Sequence, residues 1–170
     1  MIIVADKDKE KSPKFESAVF FVEDVKRSKE FYANTLGQKI IMDFGRNVGF
    51  EGGFAIWEKD YALNTIYSEE AKNVSVGGNN AEIYYESSDL DDLCKKLKSE
   101  EITFIHPIHE HPWGQRAFRI FDPDNHIIEF GEPMSIVVIR YFKQGMTIEE
   151  ISKKTLMPIE MIKNTVENSE

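Results

Sequence analysis

The chain has 170 residues, 41% of them hydrophobic and 30% charged, which suits one soluble domain or one domain with an appendage. Its formal net charge of −9 argues against a nucleic-acid-binding protein and favours a cationic or neutral ligand. The single cysteine, Cys94, excludes an intrachain disulfide framework, and no apolar run is long enough to span a membrane. We therefore expect a cytoplasmic protein.

Residues 1–14 predict an edge strand followed by a solvated linker, because a short apolar run gives way to alternating acidic residues and lysines. The β-branched and aromatic residues of Ser17–Val22 predict a strand. Asp24 is expected to cap a helix that extends to about Leu36 and ends at Gly37. Three strands are predicted to follow, over Lys39–Phe44, Asn47–Phe50 and Phe54–Trp57. A candidate fourth strand covers Tyr61–Tyr67, and a polar connector covers Ser68–Asn80.

The same layout then recurs. Ala81–Ser87 predicts a strand, and Asp89 is expected to cap a helix to about Ser99, whose leucines face inward beside Cys94. The elements that lead into the final hairpin are a strand and a loop, Ile102–His106 and Pro107–Gln115. The hairpin itself consists of a strand, a turn and a return strand, Arg116–Phe121, Asp122–Asn125 and His126–Gly131.

The return strand of this hairpin places one acidic residue among apolar ones. Because side chains alternate between the faces of a strand, Glu129 lies opposite Ile128 and Phe130. Most of the strand is apolar, so Glu129 is predicted to point into an enclosed space, where a carboxylate needs a cation, a hydrogen-bond partner or a proton. The alternatives are a solvent-exposed Glu129 or one held in a structural salt bridge.

A constant offset maps Ser17 onto Glu82 and Asp24 onto Asp89. This indicates a tandem repeat of one strand, one helix and three strands, and predicts an α+β fold. Two such modules can place curved sheets side by side, and we expect the functional site in the cup between them.

The segment 135–170 differs in character and predicts three helices, with Thr147 and Glu150 forming a capping box and Pro158 beginning the last helix. The pattern is superficially that of a DNA-binding helix-turn-helix. However, the segment contains as many acidic as basic residues, which makes attraction to phosphate weak. We therefore predict a helical appendage that packs on the sheet or at a dimer interface.

The segment SAVFFVEDVKRSKEFYANTLG resembles the opening signature of the vicinal-oxygen-chelate superfamily, which includes glyoxalases, bleomycin-resistance proteins and extradiol dioxygenases. WGQRAFRIFDPDNHIIEFGEP resembles its closing signature, and the likeness covers about Phe15–Met134. It implies paired βαβββ modules, about 15–67 and 81–134, that form a cupped half-barrel sheet, with 135–170 as a helical extension.

In metal-dependent members of this superfamily, ligands lie on the first and last strand of each module. The resemblance carries these positions onto Ser17, Asn64, Glu82 and Glu129. Only the two glutamates are strong ligands, so we expect either no cofactor or a weakly bound divalent metal. Glu82 and Glu129 are the candidate catalytic residues, as metal ligands or as acid–base groups.

The candidate substrate-binding residues are three aromatic side chains that could stack on a ligand and one arginine: Trp113, Tyr84, Trp57 and Arg119. Arg119 could hold an anionic substrate, pair with an acidic residue or remain solvated. The histidines His106, His109 and His111 could bind a metal if a loop gathers them, but the prolines between and after them exclude a helix.

Three functions remain open at this point. The first is a small-molecule-binding protein of the bleomycin-resistance type, a cytoplasmic homodimer that binds a cationic or polar ligand. The second is a metal-dependent lyase, isomerase or dioxygenase of the same superfamily. The third is a ligand-sensing regulator whose helix-turn-helix-like tail binds DNA or protein; the charge of the tail argues against nucleic acid as a partner.

Overall fold

The computed structural model describes residues 13–67 and 74–169, and the chain divides into two compact units, residues 1–72 and 73–170. The predictions for residues 1–12, and for residues 68–73 of the connector, lie outside the described residues. Within the described ranges, every helix is too short or too polar to cross a bilayer.

The first unit contains a four-stranded sheet and two helices. Its elements are β1 (Ala18–Val22), α1 (Val25–Glu30, continued by a π-helical turn over Phe31–Thr35), β2 (Ile40–Asp43), β3 (Asn47–Phe50), β4 (Phe54–Glu58) and α2 (Lys59–Tyr67). The strand order is β1-β4-β3-β2, with β1 parallel to β4 and the other pairs antiparallel. The predicted cap is confirmed, since the Asp24 carboxylate accepts a hydrogen bond from the backbone N–H of Arg27 at 3.1 Å.

Aromatic side chains form the core of this first unit. The rings of Phe50 and Phe54 stack at 4.7 Å, and Tyr32 from the π-helical turn lies 5.6 Å and 5.2 Å from them. Val48 and Ile56 are fully buried beside them. The buried side chains of this helical segment, Val25, Ser28 and Tyr32, lie at helical spacing and therefore on one face.

The candidate strand over Tyr61–Tyr67 is wrong, because this segment is the helix α2. Its buried side chains, Ala62 and Leu63, are adjacent in sequence. In a strand with one buried face, adjacent side chains point to opposite faces, so they would not both be buried. Asn64 therefore lies exposed on a helix and not on the last strand of the module.

The second unit repeats the layout and adds three helices. Its elements are β5 (Gly78–Glu86), α3 (Leu90–Ser99), β6 (Phe104–Glu110), β7 (Arg116–Phe121), β8 (His126–Gly131), α4 (Met134–Lys143), α5 (Ile148–Thr155) and α6 (Ile159–Glu167). The strand order β5-β8-β7-β6 is the same as in the first unit, so the predicted βαβββ repeat and the α+β class are confirmed.

The bounds of β5 and β6 differ from the prediction. β5 begins at Gly78, inside the predicted connector, and β6 extends to Glu110, so the loop predicted from Pro107 begins later. Pro107 is tolerated because β6 is at the edge of this sheet, where a missing backbone N–H need not break a ladder. The hairpin turn is confirmed: Asn125 has φ +65°, and the Asp122 carboxylate accepts the backbone N–H groups of Asp124 and His126 at 2.9 Å and 2.8 Å.

The apolar face of the second sheet and α3 form the core of the second unit. Phe118 is fully buried, and its ring stacks with Phe104 at 5.5 Å and with Phe130 at 5.1 Å. Cys94 is buried on α3, as predicted for a small core residue. With the apolar side chains on this face, the other face of the sheet is available for polar residues.

The three C-terminal helices share a hydrophobic cluster, made of Val137, Val138, Tyr141, Ile151, Ile162 and Val166. The predicted capping box is present at the start of α5, where the Thr147 hydroxyl accepts the Glu150 N–H at 3.2 Å and the Glu150 carboxylate accepts the Thr147 N–H at 2.8 Å. Helix α4 contacts the last residue of β6 and the segment that joins β6 to β7.

Candidate functional site

One face of the second sheet carries polar side chains on all four strands. Residues that pair across neighbouring strands share a face, and Tyr84, Glu129, Arg119 and His106 pair in one row across β5, β8, β7 and β6. Glu82 lies two positions before Tyr84 on β5 and therefore shares this face. We call the set Glu82, Tyr84, His106, Arg119 and Glu129 the polar face.

Arg119 lies between the two carboxylates of the polar face. Its Nε donates to Glu82 Oε2 at 2.9 Å and its Nη2 donates to Glu129 Oε2. Glu129 is buried, with a side chain only 6% exposed, whereas that of Glu82 is 40% exposed. Glu129 is enclosed, as expected, but the cation that it requires is supplied by the protein itself, which is the salt-bridge alternative for this residue.

The environment separates the pKa values of the two carboxyl groups. The hydrogen bond from Arg119 holds the pKa of Glu82 below its usual range. Burial raises the pKa of Glu129, although the charge of Arg119 opposes this shift. Glu129 is therefore the carboxyl group on the polar face that is closer to taking up a proton at neutral pH.

Three histidines form a row of rings beside these residues, each meeting the next edge to face. The ring centroids of His106 and His109 are 4.3 Å apart, and those of His109 and His111 are 4.6 Å apart. The His111 ring stacks on Trp113 at 4.3 Å, and its Nε2 lies 3.8 Å from Glu129 Oε1 without a hydrogen bond to any described residue. The His111 ring therefore connects Trp113 to the buried carboxylate of Glu129.

A β-bulge brings His106 and His109 to the same face. They pair with Arg119 and Ala117, so two residues of β6 lie opposite one residue of β7. Regular alternation would have placed two residues three positions apart on opposite faces. Pro107, within an otherwise extended segment, is the one residue of this strand that indicates a bulge.

Gln115 belongs to the candidate site but is not among the site residues predicted from the sequence. The indole Nε1 of Trp113 donates to its Oε1 at 3.1 Å, and its Nε2 donates to Tyr84 Oη at 2.8 Å and to the Glu132 carbonyl at 2.9 Å. A Cβ at Gly131 would lie 2.9 Å from Gln115 Nε2 and 3.0 Å from Tyr84 Oη, so glycine is needed where these side chains cross the sheet. Nothing in the local sequence marks Gln115, because Tyr84 and Glu132, two of its three partners, are distant along the chain.

Trp57 lies in the first unit. Its ring meets those of Phe21 and Tyr61 edge-on at 6.3 Å each, and it lines a groove of about 560 Å³ with Phe44 and Arg46. Ser17 precedes β1 and is exposed, with its hydroxyl donating to the Ala18 carbonyl at 3.0 Å. Apart from Asn64 on α2, the remaining predicted site residues lie in the second unit: Glu82, Tyr84, Trp113, Arg119 and Glu129.

Residues 15–135 match a family model described as a glyoxalase-like domain, which covers more than half of the chain. The chain belongs to the glyoxalase-like domain family. This confirms the resemblance to the vicinal-oxygen-chelate superfamily that the opening and closing segments indicated.

Solved structures support this assignment. A protein of unknown function from Agrobacterium tumefaciens str. C58 is 40% identical over 72% of this chain and 95% of that chain, with a TM-score of 0.66. A glyoxalase/bleomycin resistance protein/dioxygenase from Nocardioides is 21% identical over 71% and 83% of the two chains, with a TM-score of 0.58. Lactoylglutathione lyase from Agrobacterium tumefaciens is 18% identical over 72% and 96%, with a TM-score of 0.57. At these lower identities the last two show the fold alone.

The residues of this glyoxalase-like domain do not fit a tightly held divalent metal. On the parallel strands of the first unit Val19 pairs with Ala55, as Tyr84 pairs with Glu129 in the second unit. Ala55, and not Asn64, is therefore equivalent to Glu129 and occupies the ligand position on the last strand of the first module. Neither Ala55 nor Ser17 is a strong ligand, and the guanidinium of Arg119 already lies between the two glutamates. Among the described residues, no group of three or more His, Cys, Asp or Glu side chains is arranged to hold a metal ion.

The stability of this glyoxalase-like domain should depend on pH through His111. Burial lowers the pKa of His111, and the positive charges of His109, Arg119 and His106 add to the shift. The stabilising contribution of such a group is present above its ordinary pKa of about 6.5 and is lost as the pH falls through the lower, folded-state value. We expect the wild type to lose more stability than His111→Gln when the pH is lowered from about 7 to about 5, measured by urea unfolding.

A comparison at about pH 8, where imidazoles are neutral, gives the cost of the substitution that does not depend on pH. The raised pKa of Glu129 contributes with the opposite sign, but Glu129 is present in both proteins. Parallel pH profiles for the two proteins would show that His111 is not responsible.

Proposed function

We propose that this glyoxalase-like domain binds a small cationic or polar molecule at the polar face of its second unit and needs no metal ion to do so. The observation that carries the proposal is the arrangement of two half-exposed aromatic rings beside carboxylates. Trp113 is 38% exposed and Tyr84 is 46% exposed. Trp113 reaches the buried Glu129 through the His111 ring, while Tyr84 pairs directly with Glu129 across the strands.

The charge of the polar face supports a cation or a polar neutral molecule over an anion. Glu82 and Glu129 share the single positive charge of Arg119, and Glu86 adds a further carboxylate that accepts a hydrogen bond from Tyr84 Oη at 3.3 Å. With neutral histidines the face is therefore net negative, as is the whole chain. Exposed aromatic rings favour a cation placed over their faces.

A pair of probes with the same shape and opposite charge tests this proposal. We expect tetraphenylphosphonium to bind saturably in isothermal titration calorimetry and tetraphenylborate not to bind. Trp113→Ala and Glu82→Gln should each weaken the binding of the cation by about tenfold, which corresponds to the loss of one cation–π or charge contact. The matched control is Glu51→Gln, which removes an exposed carboxylate that pairs with Lys39 in the first unit and should leave the affinity unchanged.

Equal binding of both probes, or loss of affinity in the control alone, would contradict the assignment of the ligand site to the polar face. Absence of any binding of the cation by the wild type would contradict the proposed ligand class.

A second candidate function is acid–base catalysis by Glu129 and His111, of the lyase or isomerase type. Burial raises the pKa of Glu129 and lowers that of His111, so their proton affinities are brought closer together across 3.8 Å. Such a pair can remove a proton from a carbon next to a carbonyl group and return it elsewhere. Exchange of substrate hydrogen with deuterated solvent, if abolished by Glu129→Gln, would favour catalysis over binding alone.

A further inference from the structure

Helix α4 contacts the loop that carries three residues of the candidate site. The loop His111–Gln115 joins β6 to β7 and contains His111, Trp113 and Gln115. The family match ends at residue 135, one residue after α4 begins at Met134, so almost all of the three C-terminal helices lie outside the matched range. The role of these helices is therefore not given by membership of the family.

Two neighbouring residues of α4 make these contacts. Arg140 Nη2 donates to the carbonyl oxygen of Gly114 at 2.6 Å, and Arg140 Nη1 donates to Glu110 Oε2 at 3.1 Å. Tyr141 Oη donates to Glu110 Oε1 at 2.8 Å. Glu110 ends β6 and Gly114 is in the loop, so α4 is bonded both to the strand before the loop and to the loop itself.

A buried carboxylate extends the same connection to the strand that follows the loop. Glu132 is 4% exposed, and its Oε1 accepts a hydrogen bond from Arg140 Nη2 at 2.5 Å and from the backbone N–H of Arg116 at 3.1 Å. Arg116 is the first residue of β7. The hydrogen bonds of Arg140 therefore connect α4 to the strand before the loop through Glu110, to the loop itself through Gly114, and to the strand after the loop through Glu132.

Gly114 allows α4 to approach the loop closely. A Cβ at this position would collide with the ring and the hydroxyl group of Tyr141, and the φ of +90° is strained for any other residue. Tyr141 thus packs directly on the loop backbone. A shift of the loop would break this packing together with the hydrogen bonds of Arg140.

Bonds inside the loop transmit its position to the candidate site. The backbone N–H of His111 donates to the Gln115 carbonyl at 2.7 Å, and that of Gly114 donates to the His111 carbonyl at 2.8 Å. Trp113 is bonded to Gln115, which is bonded to Tyr84 of the polar face. The loop therefore moves as one piece, with His111 and Trp113 on it.

We propose that Arg140 and Tyr141 are positioning residues, which hold the loop His111–Gln115 so that Trp113 and His111 lie beside Glu129. The effect on ligand affinity rests on the proposed function, whereas the effect on the loop does not. The C-terminal helices then serve the candidate site of this chain and are not only an addition to its stability.

The test uses Trp113 as a reporter of the loop. The chain has two tryptophans, so Trp57→Phe leaves Trp113 as the single tryptophan, which can be excited selectively over the tyrosines. In this background, Arg140→Gln and Tyr141→Phe should increase the quenching of Trp113 by acrylamide and lower its fluorescence anisotropy, with no ligand present. Both should also weaken tetraphenylphosphonium binding, by about tenfold for Arg140→Gln, since charged hydrogen bonds are lost.

Two further proteins, together with Tyr141→Phe, separate positioning from general destabilisation. Arg140→Lys keeps the charge and should recover part of the wild-type quenching. Arg116→Gln removes an arginine whose side chain pairs with Asp91 at the surface, and it should change neither readout. Tyr141→Phe keeps the ring on Gly114 and loses only the hydroxyl group, so it remains informative if Arg140→Gln does not fold.

Unchanged quenching and anisotropy in both Tyr141→Phe and Arg140→Gln would overturn the inference, as would equal changes in Arg116→Gln. If quenching increases in the variants but the wild type does not bind tetraphenylphosphonium, positioning by α4 is supported and the proposed function is overturned.

Discussion

Replacement of Arg119 with methionine is expected to lower the free energy of unfolding at about pH 7.5 by about 2–3 kcal/mol. The variant would leave Glu129 buried with no cation, since Arg119 is the residue that donates to both Glu82 and Glu129. Loss of one partner from a fully buried ion pair costs about 3–5 kcal/mol, and the lower figure here allows for the partial exposure of Arg119. Urea unfolding measures the difference.

The deficit should become smaller as the pH is lowered to about 5, because Glu129 can then be protonated in the folded variant. A carboxyl group with a raised pKa binds its proton more tightly when folded, so the folded state gains stability as the pH falls through that range. The double variant Arg119→Met/Glu129→Gln should recover part of the loss at neutral pH. The matched control, Arg116→Met, breaks an exposed pair on the same strand and should cost about 0–1 kcal/mol. A loss that is independent of pH, or no larger than that of the control, would show that Arg119 does not compensate a buried charge.

Replacement of Phe118 with alanine is expected to lower the free energy of unfolding by about 3–5 kcal/mol. Phe118 is fully buried and stacks between Phe104 and Phe130 on the apolar face of the second sheet. Its removal leaves a cavity that rigid strands on both sides cannot close, and the lost aromatic contacts add to the lost burial. Thermal and urea unfolding should agree on the sign and size of the change.

Phe44→Ala is the control, because it removes the same side chain from a position that is 73% exposed. It should change the stability by no more than about 0.5 kcal/mol, as is usual for surface positions. If Phe118→Ala were no worse than this control, the division of the second sheet into an apolar and a polar face would be wrong.

The parts of the fold that depend on local interactions could be predicted from the sequence. The final hairpin was predicted with its strand bounds because Pro123 and Asn125 specify a turn and apolar residues follow on both sides. The cap at Asp24 and the capping box at Thr147 likewise depend on residues three positions apart. Burial of Glu129 followed from the apolar composition of its strand.

The remaining features depend on contacts between distant segments. The α2 segment is short and apolar, so its pattern could not separate a helix from a strand. The side chains of Gln115 and Arg140 acquire their roles only when β5, β8 and α4 are brought against the loop. The pairing of Arg119 with two carboxylates required the strand register, which no single segment contains.

The position of β6 has a consequence for how this family can diversify. β6 is at the edge of its four-stranded sheet and already contains two places where an extra residue is inserted opposite β7. An edge strand has a bonding neighbour on one side only, so insertions and deletions there disturb fewer backbone bonds than in β7 or β8. Each such change re-aims the side chains that follow it by one face. Relatives could therefore exchange histidines for other groups at the binding surface through small changes in length, while the central strands keep their sequence pattern.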